Sequence, residues 1–316
     1  MMTSEQVGNV VASSPAMREL LAVAGRLAES RSSVLLEGES GTGKDLLAHW
    51  LHYHGPRRDG PFIKVHCPSI PEDLLESELF GHERGAFTDA RQAKLGKIEM
   101  ASGGTLYFDQ IHDLTPALQA KLLRVVEERR FERLGGTRTI EVDVRFFSSS
   151  TVDLRQAVAQ GTFREDFYHR LSVVPLVLPP LRNRREDIVP LAELFLNRER
   201  QRGATRATSF ETPVVDALRG YLWPGNVREL RSVVERAAIY SAETTAIASS
   251  ALPPQILEQP QTLWAGRDRR PSLEDIEQAY IRYVLEQVNG NQTQAAGILG
   301  ISRKSLWEKR RRYGIP

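Results

Sequence analysis

Cysteine is nearly absent: Cys67 is the only one in 316 residues, so no intrachain disulfide can form. That fits a reducing compartment. Long hydrophobic runs are missing too. None approaches the ~18–20 apolar residues that a membrane-spanning helix needs, so no membrane partner is expected. The opening residues, MMTSEQVGNVVASSPAM, have no basic stretch followed by an apolar core and do not read as a signal peptide. The expected location is cytoplasmic. An excess of one charge is also lacking. The 42 basic and 40 acidic side chains leave a net charge of +2, so the sum singles out no partner and the distribution must be read instead.

What is present is an ordinary globular balance, 41% hydrophobic and 26% charged, with enough chain for two or three domains. The first part alternates strand and helix signals. Val34–Glu37, Phe62–His66, Thr105–Asp109 and 142–148 are rich in β-branched and aromatic residues, and helical patterns at 44–52 and 116–129 separate them. Such alternation implies an α/β fold with a mostly parallel sheet flanked by helices. After Leu178-Pro179-Pro180-Leu181 the strand signals fade. Residues 186–197, 212–221 and 227–240 read as helices of a smaller subdomain. The stretch 241–271 holds Pro253, Pro254, Pro260 and Pro271 with little periodicity and reads as a linker. Ser272 then suits the N-cap of a helix over 273–288, with Asp275 as the capping-box acid.

Two features carry chemistry. Gly38-Glu39-Ser40-Gly41-Thr42-Gly43-Lys44 matches G-x-x-x-x-G-K and lies between a predicted strand and a predicted helix. Glycines let backbone N–H groups turn inward around phosphates, the helix N-terminus adds positive potential, and Lys44 reaches the outer phosphates. Asp45 follows where a Ser or Thr would give magnesium a hydroxyl ligand. Thr105-Leu106-Tyr107-Phe108-Asp109 is an apolar strand ending in an acid, the Walker B pattern, which makes Asp109 the candidate Mg2+ ligand. ATP and Mg2+ are the expected cofactors.

The C-terminal end reads as helix, tight turn, helix: Gln292–Leu299, Gly300-Ile301, then 302–313. Ala295, Ala296, Ile298, Leu299, Leu306 and Trp307 are its candidate core. Residues 291–316 carry six basic side chains and one acid, Glu308. Arg303, Lys304 and Ser305 lie at the start of the second helix, where a recognition helix meets base edges. Lys309, Arg310, Arg311 and Arg312 are placed for phosphates. A helical hairpin used only for oligomerisation is the other reading.

The run Glu78-Leu79-Phe80-Gly81-His82-Glu83-Arg84-Gly85-Ala86-Phe87-Thr88-Asp89-Ala90 resembles the GAFTGA signature loop of sigma-54-dependent AAA+ transcription activators. Gly103-Gly104-Thr105-Leu106, Phe163-Arg164-Glu165-Asp166, Leu178-Pro179-Pro180-Leu181-Arg182 and Trp223-Pro224-Gly225-Asn226-Val227-Arg228-Glu229-Leu230 follow in the family's order, and the C-terminus resembles a Fis-type helix-turn-helix. The resemblance is to members without an N-terminal receiver domain. It implies a P-loop AAA+ α/β subdomain over 1–178, a helical lid over 179–242, a linker over 243–271 and an all-α helix-turn-helix domain over 272–316. It further implies a homo-hexameric ring with dimerised DNA-binding domains, acting on sigma-54 RNA polymerase from upstream enhancer-like DNA. Arg164 and Arg170 fall where the family keeps its trans-acting arginines, Arg228 matches the nucleotide-sensing lid arginine, and Gly85, Ala86, Phe87 and Thr88 form the expected sigma-54 contact.

Four departures qualify the resemblance. Gln110 stands where the family has the catalytic Glu, and an amide positions water without accepting its proton. His66 replaces an Asn that pairs with that Glu. Either His66 and Gln110 form a swapped pair, or His66 is a buried, hydrogen-bonded histidine. Ser150-Thr151 replaces Thr-Asn at the sensor position, and Asp89 replaces the last glycine of the signature loop. Two functions therefore stay open: an ATP-driven activator, and a hydrolysis-deficient DNA-binding regulator that uses ATP only for assembly. An unrelated AAA+ remodeller fits neither the signature loop nor the terminal DNA reader.

Overall fold

A computed structural model of the chain describes residues 10–69, 71–88, 90–257, 272–288 and 291–315. It divides into two compact units, Met1–Pro253 and Pro254–Pro316. In the first, β1 (Val34–Glu37), β2 (Phe62–His66), β3 (Thr105–Asp109), β4 (Arg145–Ser150) and β5 (Val174–Val177) form one sheet in the order β2-β3-β4-β1-β5. Every pairing is parallel. A parallel sheet is covered on both faces, so its strands must be apolar on both. Leu35, Leu106, Phe108 and Phe146 pack on one side. Val34, Leu36, Tyr107 and Phe147, their alternate neighbours, pack on the other against α1 (Pro15–Ala28) and α2 (Lys44–Tyr53). Each such fully buried aliphatic or aromatic side chain contributes roughly 1.5–3 kcal/mol relative to exposure.

Sequence patterning missed β5 and set β4 three residues early. β5 is four residues long and contains Pro175, which lacks an N–H for a sheet ladder. Proline is tolerated there because β5 is an edge strand. Helices α3 (Glu72–Phe80), α4 (Pro116–Glu128) and α5 (Glu165–Leu171) belong to the face opposite α1 and α2. Thr115 caps α4, and Pro116 starts it with φ already set.

Three helices follow: α6 (Ile188–Gln201), α7 (Thr212–Gly220) and α8 (Asn226–Tyr240). Trp223 is fully buried between α7 and α8, with its indole N–H donating to the Leu218 carbonyl at 2.9 Å. The stretch read as a linker is structured in its first half. Ala246–Ile247 pairs with Ser209–Phe210, and Ile247 is fully buried. Burial of these apolar residues outweighs the proline spacing. Residues 258–271 lie outside the described residues.

The second unit contains α9 (Leu273–Gln287), α10 (Gln292–Leu299) and α11 (Arg303–Tyr313). The Ser272–Asp275 box closes reciprocally: Ser272 N donates to Asp275 Oδ2 at 2.9 Å, and Asp275 N donates to Ser272 Oγ at 3.2 Å. Ser302 caps α11 through Ser305 N at 3.0 Å, and Gly300 takes the left-handed conformation, φ 66°, that the turn requires. The core is Ile281, Val284, Leu285, Ala295, Ala296, Leu306 and Ile315. Two expected core residues fall outside it: Ile298 is 57% exposed and Trp307 54%. α9 supplies the apolar surface that the two-helix reading assigned to them.

Candidate functional site

The phosphate loop leaves the carboxyl end of β1 and enters α2 at Lys44, with Gly38, Gly41 and Gly43 at positive φ. Lys44 is buried, and its Nζ donates to the carbonyls of Gly38 at 2.6 Å and Glu39 at 2.9 Å. Burial pulls its pKa down to about 8, against the opposing pull of Asp109 and Asp45. A phosphate group would give this ammonium a better partner than two neutral carbonyls.

Asp109 ends β3 beside the loop. Its Oδ1 accepts from Ser149 Oγ at 2.8 Å, and its Oδ2 accepts from Lys64 Nζ at 2.9 Å and His66 Nδ1 at 3.0 Å. Burial works to raise its pKa, but Lys64 and Ser149 prevail and keep the carboxyl below its usual range. Lys64 also reaches Asp45 Oδ2 at 2.5 Å, and Asp45 Oδ1 accepts from Tyr107 OH at 2.9 Å. Among the described residues no cluster of three or more His, Cys, Asp or Glu side chains could hold a metal. Mg2+ with a nucleotide uses one or two carboxylates plus phosphate oxygens, so the hard, ionised Asp109 beside the loop fits that smaller requirement. Lys64, a cation already seated on Asp109, marks the same spot.

Gln110 sits at φ 63°, a left-handed conformation held by its N–H donating to Ser149 Oγ at 3.1 Å. Its Oε1 accepts from Thr151 Oγ1 at 3.1 Å. The proposed His66–Gln110 pair is therefore not formed: His66 bonds to Asp109, and Gln110 to Thr151. Nor is His66 buried, since its side chain is 44% exposed. It lies opposite Asp109 across the β2–β3 register, which sets its partner.

The lid closes over the loop through Arg228 and through residues that sequence patterning gave no role. Asn226 is fully buried at φ 54°, and its Nδ2 donates to Glu39 Oε2 at 3.1 Å and Ser40 O at 3.0 Å. Arg182 forms a two-pronged pair with Glu39 at 2.8 and 2.5 Å. Arg182 and then Asn226 bring the Glu39 pKa to about 2. Arg184 donates to Thr42 O at 2.6 Å, and Arg228 to Ser40 Oγ at 2.8 Å. A Cβ on Gly41 would lie 2.4 Å from the Gly225 carbonyl oxygen, so only glycine permits this approach. Asp187, fully buried, accepts from Ser13 N at 2.6 Å, Ser14 N at 2.7 Å and Ser14 Oγ at 2.8 Å. That clamp fixes Ser13 and Ser14, just ahead of α1, against the lid.

These elements enclose a cavity of about 500 Å³. Loop residues 40–45, Asp109, Gln110, Thr151, Arg184 and Arg228 line it, together with the apolar Val10, Val11, Leu191, Leu194 and Phe195 and the charged Arg198, Glu199, Arg202, Arg231 and Glu235. A phosphate-loop cradle with apolar side chains in the same cavity suits a phosphorylated ligand that also carries an apolar part. Because bound phosphates favour protonated Lys44, affinity for ATP should hold below pH 8 and fall as pH rises past it, by up to about tenfold per unit. A fluorescent-nucleotide titration across that range checks this, with Lys44→Arg expected to give a flat profile.

Arg164 and Arg170 are exposed, and neither is among the described residues lining the cavity. Arg164 is paired with Asp166, Nη2 to Oδ2 at 2.7 Å and Nε to Oδ1 at 3.1 Å.

The signature loop stands on a two-residue antiparallel pairing of Gly81–His82 with Lys94–Leu95. Gly85 N donates to Ala90 O at 2.8 Å and Ala90 N to Phe87 O at 2.9 Å, closing a tight tip. Arg133 braces its base through Glu83 and Glu99, both at 2.9 Å. Phe87 is 43% exposed, its ring edge-on to His82 at 4.9 Å. Thr88 is exposed, Gly85 is exposed and Ala86 partly so. Asp89 lies outside the described residues.

In the second unit Arg303 and Lys304 are exposed at the start of α11, and Ser305 is partly buried. Lys309 and Arg312, expected to face phosphates, are instead ion-paired with Glu277 at 2.5 Å and Glu274 at 2.7 Å. The charge count of one helix overlooked the acids α9 sets opposite it. Arg311 lies over the Trp307 ring at 5.6 Å, and Arg310 Nε is buried without a hydrogen-bond partner. Arg303, Lys304 and Arg311 are exposed, and so is Arg312 despite its ion pair. Among the described residues no helix is long and apolar enough to cross a membrane.

Comparison with known proteins gives three family matches: a sigma-54 interaction domain over residues 10–177, an AAA+ ATPase lid domain over 182–267, and a bacterial regulatory protein, Fis family, domain over 272–313. The chain is 45% identical to the regulatory protein AtoC of Escherichia coli K12, over 99% of this chain and 69% of AtoC. It is 51% identical to the Nif-specific regulatory protein of Herbaspirillum seropedicae, over 74% of this chain but only 43% of that protein. The crystal structure of NtrX from Brucella abortus in complex with ATP superposes with a TM-score of 0.74 at 34% identity, covering 97% of this chain and 70% of that one.

Proposed function

The chain belongs to the sigma-54-dependent AAA+ transcription activators, and we propose that it binds ATP-Mg, assembles as a homo-hexameric ring and remodels sigma-54 RNA polymerase while tethered to upstream DNA. The observation that carries this reading is the joining of loop residues 40–45, Asp109, Gln110 and Arg228 in one cavity, with Phe87 left exposed on a separate braced loop. A nucleotide is recognised by the loop amides and Lys44, with Arg228 sensing the phosphates from the lid. Asp109 would hold Mg2+ together with the phosphate oxygens, and the bound ion supplies neutralisation of phosphate charge. Gln110 and Thr151 position the attacking water. Arg164 and Arg170 of the neighbouring subunit stabilise charge developing on the γ-phosphate. Lid contacts to Glu39, Ser40 and Gly41 tie nucleotide state to subunit orientation, and hence to the Phe87-Thr88 tip that touches sigma-54. Arg303, Lys304 and Ser305 read bases. Arg310 and Arg311 add backbone contacts, and Lys309 and Arg312 contribute on leaving their glutamates. Tethering raises the local concentration of the ring at the promoter. The chain works in the cytoplasm, with the polymerase and the DNA.

The test is open-complex formation on a sigma-54 promoter. Wild-type protein with ATP is expected to yield open complexes. Phe87→Ala should lose at least about nine-tenths of that activity while binding ATP as the wild type does. Full activation by Phe87→Ala would remove the contact role.

Gln110 motivates a second reading, a regulator that binds ATP for assembly and hydrolyses little. Its amide is engaged by Thr151 and supplies no base. Tight ATP binding with negligible steady-state turnover would favour it.

A further inference from the structure

Lys64 has no place in the chemistry above, yet it holds two carboxylates that line the cavity, those of Asp45 and Asp109. Its Nζ lies 2.9 Å from Asp109 Oδ2 and 2.5 Å from Asp45 Oδ2. Its position follows from register. Lys64 pairs with Tyr107 and His66 with Asp109 along β2–β3, so side chains two residues apart share the face beneath the start of α2. The ammonium lies 5.6 Å from the centroid of the Tyr107 ring. Asp45 is a fixed seat because its other oxygen accepts from the buried Tyr107 hydroxyl at 2.9 Å.

The occupancy of Asp109 matters for a divalent cation. Mg2+ binds carboxylate oxygen at about 2.0–2.1 Å. An ion on Asp109 Oδ2 would meet the Lys64 ammonium, hydrogen-bonded to the same oxygen, as a close like charge. The two cations cannot share that oxygen without repulsion, whereas the ammonium loses little by turning wholly to Asp45. Lys64 is one-third exposed, so its terminal atoms have room for that turn.

We propose that Lys64 is a built-in counter-ion that competes with the divalent cation for Asp109, and that Asp45 is the seat to which it withdraws when the metal enters. This rests on the ATP-Mg reading of the cavity. Lys64 is a positioning residue: it sets the metal concentration at which the site loads, and touches no reacting atom.

The experiment uses the full chain with saturating ATP and follows free Mn2+ by electron paramagnetic resonance. ATP binding in chelator is measured first. Absence of that binding from the wild type would defeat the reading of the cavity itself, and the counter-ion proposal with it. With ATP bound, Lys64→Met should lower the Mn2+ half-saturation about fivefold or more, the effect of deleting one nearby positive charge. Asp45→Asn should raise it by a similar factor, because Lys64 then keeps Asp109. The double variant separates seat from mere negative charge. If Asp45 acts as the seat, Asp45→Asn has no effect once Lys64 is Met. Lys64→Gln serves as the second variant should Lys64→Met not fold. Unchanged Mn2+ half-saturation on neutralising Lys64, or an equal Asp45→Asn effect in both backgrounds, would overturn the proposal.

Discussion

Restoring a carboxylate at position 110 should raise steady-state ATP turnover by about 10²–10⁴-fold, the usual contribution of a general base. Gln110 already occupies the necessary position. It follows the Walker B aspartate, holds a left-handed backbone at φ 63°, and lines the cavity beside Lys44 and Asp109. Its amide oxygen takes the Thr151 hydroxyl at 3.1 Å, so a carboxylate of the same reach fits the existing backbone. Gln110→Glu keeps the volume and exchanges an amide for a proton acceptor. The substitution should leave ATP affinity within a few-fold, because Lys44 and the loop amides are untouched. Steady-state phosphate release against ATP concentration checks both. An unchanged turnover would mean that another group already takes the proton, and His66, oriented by Asp109 at 3.0 Å, would then be examined.

Removing the guanidinium at position 164 should have an equally large effect in that faster background. In the Gln110→Glu protein, Arg164→Ala should lower turnover by about 10³–10⁵-fold if Arg164 acts as an arginine finger. In the isolated chain the side chain is exposed and folded back on Asp166, at 2.7 and 3.1 Å. A surface pair of that kind contributes little to stability, so the loss cannot be ascribed to unfolding. Action in trans has its own signature. Subunits carrying Lys44→Ala and subunits carrying Arg164→Ala are each inactive alone, but a mixture places some intact Lys44 sites against intact Arg164 neighbours. Recovery of activity on mixing supports a shared site. A mixture as inactive as its parts, or an Arg164→Ala protein with undiminished turnover, argues for the surface pair and nothing more, and leaves Arg170 to be tested in the same way.

Local signals in the chain were readable, and contacts across it were not. The phosphate loop, the Asp109 strand, the Ser272–Asp275 cap and the Gly300 turn each depend on residues within a few positions of one another, so spacing alone located them. β5 escaped because four residues containing Pro175 carry little strand signal, and only the edge position makes them a strand. Ile298 and Trp307 were assigned to a core that α9 completes without them. The lid contacts of Arg184, Asn226 and Asp187 join residues 142 to 187 positions apart, and no periodicity marks such pairs. Lys64 is a partial exception. Strand alternation puts it on the same face as His66, two residues away, but its place beside Asp109 comes from the β2–β3 register, which the sequence does not give. The charge at the C-terminus shows the opposite failure. Four basic residues on α11 looked free until Glu274 and Glu277 were seen across from two of them.

The coupling between the phosphate cradle and the exposed tip is most directly measured by the anisotropy of fluorescently labelled sigma-54, titrated with this protein in the presence of ADP, ATP or a non-hydrolysed ATP analogue. Binding should depend on the nucleotide, disappear with Lys44→Ala, and disappear with Phe87→Ala although that variant still takes up ATP. Equal binding with every nucleotide, or binding that survives the loss of Phe87, would contradict it.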